Sequence, residues 1–280
     1  MIASSLLSAA ALLRAPAAWL PGIVLGGIAA GVVLVQYHFG IFLAERLLII
    51  PLAVLPFFMA GLLHLVNTGE RSLKVFFEGG MSGYFRVLLP MLLVLFGIVL
   101  TILLILIPLF ILGQGTQALS FLVMTVPLSI LFFTFFSDTA AVFERKPVFE
   151  SIRRSVEFVL RNSRACLLFY LLSLGIAALI GFTMMLAWTA VLYERLVPLA
   201  GMTPEDMQTF TIADFNELLS ADGTFVTALI LFTGLAVAFS LLYAFKACFF
   251  RDSTVKAGEE EGKTAPPEGE YDSKGRYYRY

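Results

Sequence analysis

Hydrophobic positions run along this chain in six long blocks, at residues 17–37, 46–66, 87–112, 118–143, 165–193 and 224–250. Between residues 87 and 137 there is no Asp, Glu, Lys or Arg. A helix of about 20 apolar residues crosses the roughly 30 Å hydrocarbon layer of a bilayer, so every block is long enough to span. None alternates polar and apolar positions as a barrel strand does, and in lipid a single segment satisfies its backbone only as a helix. The pattern predicts an all-α polytopic membrane bundle of six transmembrane helices. Pro51, Pro56, Pro108 and Pro127 lie inside the blocks and predict kinks.

A shorter pattern precedes each odd block. In "PVFESIRRSVEFVLRNS", Phe149, Ile152, Val156, Val159 and Leu160 recur at helical spacing, while Arg153, Arg154, Glu157 and Arg161 fall on the other side. Such a helix lies in the membrane interface with its basic side toward anionic headgroups, which makes Arg153, Arg154 and Arg161 candidate lipid contacts. The opening residues set Ile2, Leu6, Ala10 and Leu13 against Ser4, Ser5 and Ser8. "RSLKVFFEGGMSGYFR" is a weaker version, interrupted by Gly79, Gly80 and Gly83. The plan is a pseudo-repeat of interfacial helix, span, span, at about 1–67, 68–144 and 145–250, forming one integral membrane domain. The tail 251–280, rich in Gly, Pro, Glu and Lys, reads as disordered.

Composition supports the membrane reading. Hydrophobic residues make up 59% of the chain and charged ones 14%, against about 45–50% and 25% in soluble domains. Of the 19 Lys and Arg, all but Arg46 and Arg195 fall on one side of the six-span arrangement. Cytoplasmic loops retain basic residues, so both termini are expected in the cytoplasm and the protein in the cell membrane. The N-terminal segment lacks a basic region before its apolar part and reads as retained rather than as a cleaved signal.

The string "FFSDTAAVFERKPVFESIRRSVEFVLRN", residues 135–162, resembles the signature of a broad family of prokaryotic multi-pass membrane proteins. That family includes the membrane domain fused to some glycerophosphodiester phosphodiesterases. Asp138, Ala140, Ala141, Glu144, Ser151, Ser155 and Asn162 occupy the positions of its motif. The likeness covers spans three to five best and the N-terminal third only in layout. It implies a membrane fold and carries no catalytic residue; the phosphodiesterase members owe their chemistry to a separate soluble domain, for which the segment 251–280 leaves no room.

Reaction chemistry is sparse. His38 and His64 are far apart, Cys166 and Cys248 lie in apolar runs without metal-ligand spacing, and no nucleophile elbow or phosphate-binding loop occurs. No cofactor is expected. Gly22/Gly26 and Gly27/Gly31 form two small-xxx-small frames suited to helix packing. The segment 194–222 is acidic; Thr203 and Pro204 suggest a helix start, and a second short helix is expected to close at Gly223. At the C-terminus, Tyr277, Tyr278 and Tyr280 interleave with Lys274, Arg276 and Arg279, a combination suited to anionic lipid or a protein partner rather than nucleic acid. Asp138 and Lys246 lie at similar depths inside spans four and six, with His64 just inside span two, and are expected to form an intramembrane polar cluster. The function expected is that of a non-enzymatic scaffold, accessory or lipid-organising protein; the alternative is a transporter or lipid-handling protein with a pathway among the spans.

Overall fold

The structure, a computed structural model, describes residues 2–113, 115–203, 209–264, 269–271 and 277–279. Helix α1 (Ile2–Leu12) leads through a 3-10 turn (Pro16–Trp19) into α2 (Leu20–Phe39). Next come α3 (Ile41–Leu47), α4 (Ile49–Thr68), α5 (Leu73–Ile111), α6 (Gly115–Thr134), α7 (Ser137–Phe143) and α8 (Val148–Arg161). The helices end with α9 (Ser163–Val191), α10 (Tyr193–Ala200) and α11 (Ile212–Thr264). Among the described residues, six helical stretches are long and apolar enough to cross a membrane: Pro16–Phe39, Ile41–Thr68, Leu73–Ile111, Phe121–Phe143, Ser163–Val191 and Asp214–Val255. The fold is thus an all-α bundle. Its outer surface carries large exposed apolar side chains such as Leu104, Ile107, Leu128 and Leu174, as lipid contact requires.

Helix α11 packs along α2 and also meets α1, α4 and α9, while α5 packs along α4 and α6. The contact between α2 and α11 is backbone on backbone. A Cβ on Gly22 would stand 2.2 Å from the Ala236 carbonyl oxygen, and one on Gly26 would stand 2.5 Å from that of Phe232. The second small-residue frame makes no such contact: among the described residues, a Cβ on Gly27 or Gly31 would meet nothing within 4 Å. Phe136, Phe169, Phe245, Phe249 and Phe250 are fully buried and form the centre of the core.

Several expectations are corrected. The middle polar segment is not a separate interfacial helix but the first part of α5, whose 39 residues reach about 58 Å. Its glycines do not interrupt it. Gly79 lies against the His64 side chain, Gly80 against Phe57 and Gly83 against Ala60, so they let α5 press onto α4. Helices run through Pro56, Pro108 and Pro127. Pro51 acts differently: its ring conflicts with the carbonyl four residues back, and α3 ends there, at Leu47. Span four breaks at Phe135–Phe136, where there is no proline.

Helices α1 and α8, expected in the interface, are discrete, yet both turn serines inward. Ser5, Ala9 and Leu12 are the buried face of α1. On α8 the buried face is Ser151, Ser155, Phe158 and Val159. An outward apolar stripe, with Phe149 at 77% and Leu160 at 63% exposure, separates that face from the charged one.

In the acidic loop, residues 204–208 lie outside the described region, and with them the helix start expected at Pro204. Thr211 and Asp214 cap α11 instead: the Thr211 amide and hydroxyl donate to Asp214 Oδ2 at 2.7 and 2.6 Å. The chain turns at Ser220 (φ 58°), not at Gly223, and Arg195 holds that turn through the Leu219 carbonyl and the Ser220 hydroxyl. The tail is not wholly without regular structure. Helix α11 continues to Thr264, and Gly269–Tyr271 (β1) pairs antiparallel with Tyr277–Arg279 (β2). Ala257, the glutamates 259–261 and Lys263 are good helix formers, and Pro266 and Pro267 follow the end of the helix.

Candidate functional site

The break in span four organises the most polar part of the membrane interior. Ending α6 at Thr134 frees carbonyls that would otherwise be bonded along the helix, and in lipid each needs a donor. Tyr170 of α9 donates its hydroxyl to the Phe132 carbonyl at 2.7 Å. Ser155 of α8 donates to the Phe133 carbonyl at 2.8 Å and accepts from the Phe136 amide at 3.0 Å. A single hydroxyl thus bridges the two sides of the break. The Phe136 ring locks the turn among Phe158, Phe169, Phe249 and Phe250, with centroid separations of 5.0, 5.5, 5.9 and 6.0 Å.

Beyond the break, α7 begins with Ser137 and Asp138. Both Asp138 and Lys246 are buried, at 7% and 4% exposure. Lys246 donates from Nζ to Asp138 Oδ1 at 2.6 Å and Oδ2 at 2.8 Å. Tyr243 donates its hydroxyl to Oδ2 at 2.7 Å, and the Thr139 amide donates to Oδ1 at 2.7 Å. Tyr243 and Lys246 are three residues apart on α11 and so share a face. The ammonium also stands 4.3 Å from the centroid of the Phe135 ring, whose negative face favours a cation. Every oxygen of the carboxylate has donors, the condition under which a buried charge pair is tolerated.

This pair lies at the floor of a cavity of about 320 Å³ between α4, α5 and the α6–α7 break. The walls include Leu52, Met59, Met91, Val94, Ile98 and Leu131, and the polar atoms come from Thr134, Ser137, Asp138 and Lys246. His64, expected beside the pair, lies elsewhere. It packs against Gly79 and lines a separate recess with Asn67, Arg86 and Arg145, and among the described residues no hydrogen bond joins it to Asp138 or Lys246. The close approach of α5 at Gly79 leaves His64 on that side of α4.

The basic residues of α8 divide in the same way. Arg153 is 80% exposed and pairs within its own helix with Glu157 at 2.8 Å. Arg154 is turned inward: its Nε donates to both oxygens of Glu144, at 2.8 and 3.1 Å, tying α8 to the end of α7. It braces α8 against the end of α7. Arg161 is exposed at the end of α8.

Tyr243 and Tyr170 escape a reading of the sequence because each is one aromatic among many in an apolar run. Spacing from Lys246 is the signal that points to Tyr243. For Ser155 the signal is its place, with Ser151 one turn earlier, on an otherwise amphipathic helix. Among the described residues no cluster of His, Cys, Asp or Glu could hold a metal ion. Comparison with protein-family models, with characterised proteins and with solved structures returned no match to this chain.

Proposed function

We propose that the protein is a non-enzymatic, lipid-handling membrane protein, in which the cavity between α4, α5 and the α6–α7 break seats the apolar body of a membrane amphiphile. The polar end of that amphiphile stands beside Asp138 and Lys246. The observation carrying this reading is an apolar-walled cavity with a buried, hydrogen-bonded charge pair at its floor. Ligand pockets combine apolar walls with a few placed polar groups, and broken membrane helices occur where backbone lines a cavity or is buried in protein. A polar solute would need a polar route; these walls offer Leu, Met, Val and Ile.

A scaffold or accessory role is the second reading, favoured by the outward apolar stripe of α8 next to its charged face. The distribution of basic residues supports a cell-membrane location with both termini cytoplasmic. The resemblance to the membrane domain of glycerophosphodiester phosphodiesterases belongs to the same proposal. Asp138, Glu144 and Ser155, which carry part of it, are residues that build and brace the break.

The test is photolabelling. Full-length protein in nanodiscs is irradiated with a phospholipid bearing a diazirine on its acyl chain, and adducts are mapped by mass spectrometry. Adducts on Met59, Met91 or Leu131 that disappear when Val94→Trp fills the cavity support the proposal. Labelling confined to outward residues such as Leu128, or indifferent to Val94→Trp, refutes it.

A further inference from the structure

A second site lies at the end of α7, separate from the cavity above. Two recesses of about 280 and 290 Å³ adjoin there, and Arg86 of α5 and Arg145 of the α7–α8 loop line both. Behind the two arginines, the first recess is walled by His64 and Asn67 of α4, with Gly79 and Gly83 on the α5 side. Phe85 and Leu89, 65% and 45% exposed, line the second together with the same two arginines and Lys146.

Three observations mark this as a place for an anion. First, no carboxylate lines either recess. The nearest acid along the chain, Glu144, is already shared by Arg154 at 2.8 Å and Lys146 at 3.5 Å. Second, neither Arg86 nor Arg145 makes an ion pair among the described residues, although charged neighbours in this region pair readily. Third, Arg145 has φ 53°. It follows the helix-capping Glu144 in the left-handed conformation where glycine is usual, because a Cβ there meets the following carbonyl. A long cationic side chain held at a position that disfavours it, with no internal partner, is accounted for by an external one. Arginine presents paired N–H donors that match phosphate oxygens.

We propose that Arg86 and Arg145, backed by His64 and Asn67, bind a phosphate-bearing anion. Phe85 and Leu89 meet the acyl chains when that phosphate belongs to a phospholipid. A purely topological role for the two arginines asks only for positive charge on this side of the membrane and would not distinguish them from Arg153.

Two probes separate the sources of the phosphate. Full-length protein in phosphate-free maltoside micelles is titrated with inorganic phosphate by calorimetry. In parallel, retention of phosphatidic acid is compared with that of diacylglycerol, its phosphate-free counterpart, by native mass spectrometry. The expected result is one saturable phosphate site, weakened about tenfold or more by Arg86→Gln or Arg145→Gln and unchanged by Arg153→Gln. Arg145→Gly relieves the backbone conformation. It should therefore unfold at the same temperature or higher while losing phosphate as Arg145→Gln does, which separates loss of binding from loss of fold. Retention of phosphatidic acid that depends on both arginines assigns a lipid headgroup, and phosphate binding without it assigns a soluble phosphate. Saturable binding of neither probe, or equal losses from Arg153→Gln, overturns the proposal.

Discussion

Replacing Lys246 with Met is the perturbation that best tests how the interior is held. The side chain keeps its length and loses its charge, leaving the Asp138 carboxylate with Tyr243 and Thr139 but no cation. Two unit charges about 4 Å apart attract by on the order of 4 kcal/mol at the effective dielectric of a protein, and burying each ion costs several kcal/mol. The intact pair is therefore nearly neutral in its net effect, whereas a lone buried charge costs about 3–5 kcal/mol. Asp138→Asn should cost a similar amount, because Lys246 keeps a neutral amide oxygen and two ring faces beside it but no counter-charge. The double variant strands neither charge. Its loss should fall well short of the sum, with a coupling of at least about 2–3 kcal/mol, the upper end of the usual range for contacting groups. Unfolding free energies of the four proteins, measured by denaturant titration in mixed micelles with the fluorescence of Trp19 and Trp188 as the probe, give the cycle directly. Losses that add to within about 0.5 kcal/mol, or a Lys246→Met protein as stable as the parent, would refute the reasoning.

Ser155→Ala should cost about 2–4 kcal/mol, because it strands both the Phe133 carbonyl and the Phe136 amide; faster hydrogen exchange across residues 132–138 is the readout. Gly22→Ala should destabilise by about 1–3 kcal/mol by forcing α2 off α11, while Gly27→Ala, which meets nothing within 4 Å, should leave the thermal midpoint unchanged or raise it. The Arg153 guanidinium holds the Glu157 carboxyl below its ordinary value of 4.5. Its contribution to α8 is therefore present above about pH 4.5 and lost as pH falls through the lower folded value, and Arg153→Gln should return the NMR-detected titration toward the ordinary value. A single cysteine at Leu112 should react with an impermeant thiol reagent in intact cells and one at Val255 should not; the reverse pattern inverts the proposed orientation.

The six spans are legible because hydropathy over about 20 residues is a bulk property that few tertiary contacts override. Two charges at matching depth in otherwise apolar helices foreshadow Asp138 and Lys246, since each is costly alone. The break between them is not legible. "TFFSD" holds neither glycine nor proline, and what stops α6 is a set of donors, Tyr170 and Ser155, that arrive from later helices. Ser5 of α1 misleads for a related reason: polarity suggests the water side, but its hydroxyl is buried as a donor to Asp252 Oδ2 of a helix that arrives much later. The glycines of α5 suggest interruption, and their real role shows only once α4 is beside them. His64 follows from the same contact, since its side chain lies against Gly79.

The break in span four also bears on the order in which the protein is made. Its partners are synthesised after it: Ser155 and Tyr170 follow within the next two helices, and Tyr243 and Lys246 come only with the last. Until span six is translated, Asp138 has the Thr139 amide beside it but neither Tyr243 nor Lys246. The Asp138 carboxylate then stays without its cation until α11 is in place. A nascent chain halted before residue 243 would carry all of the apolar surface of the finished protein's first five spans and none of the groups that neutralise Asp138. Such a chain holds its acid without the cation that only the final helix supplies.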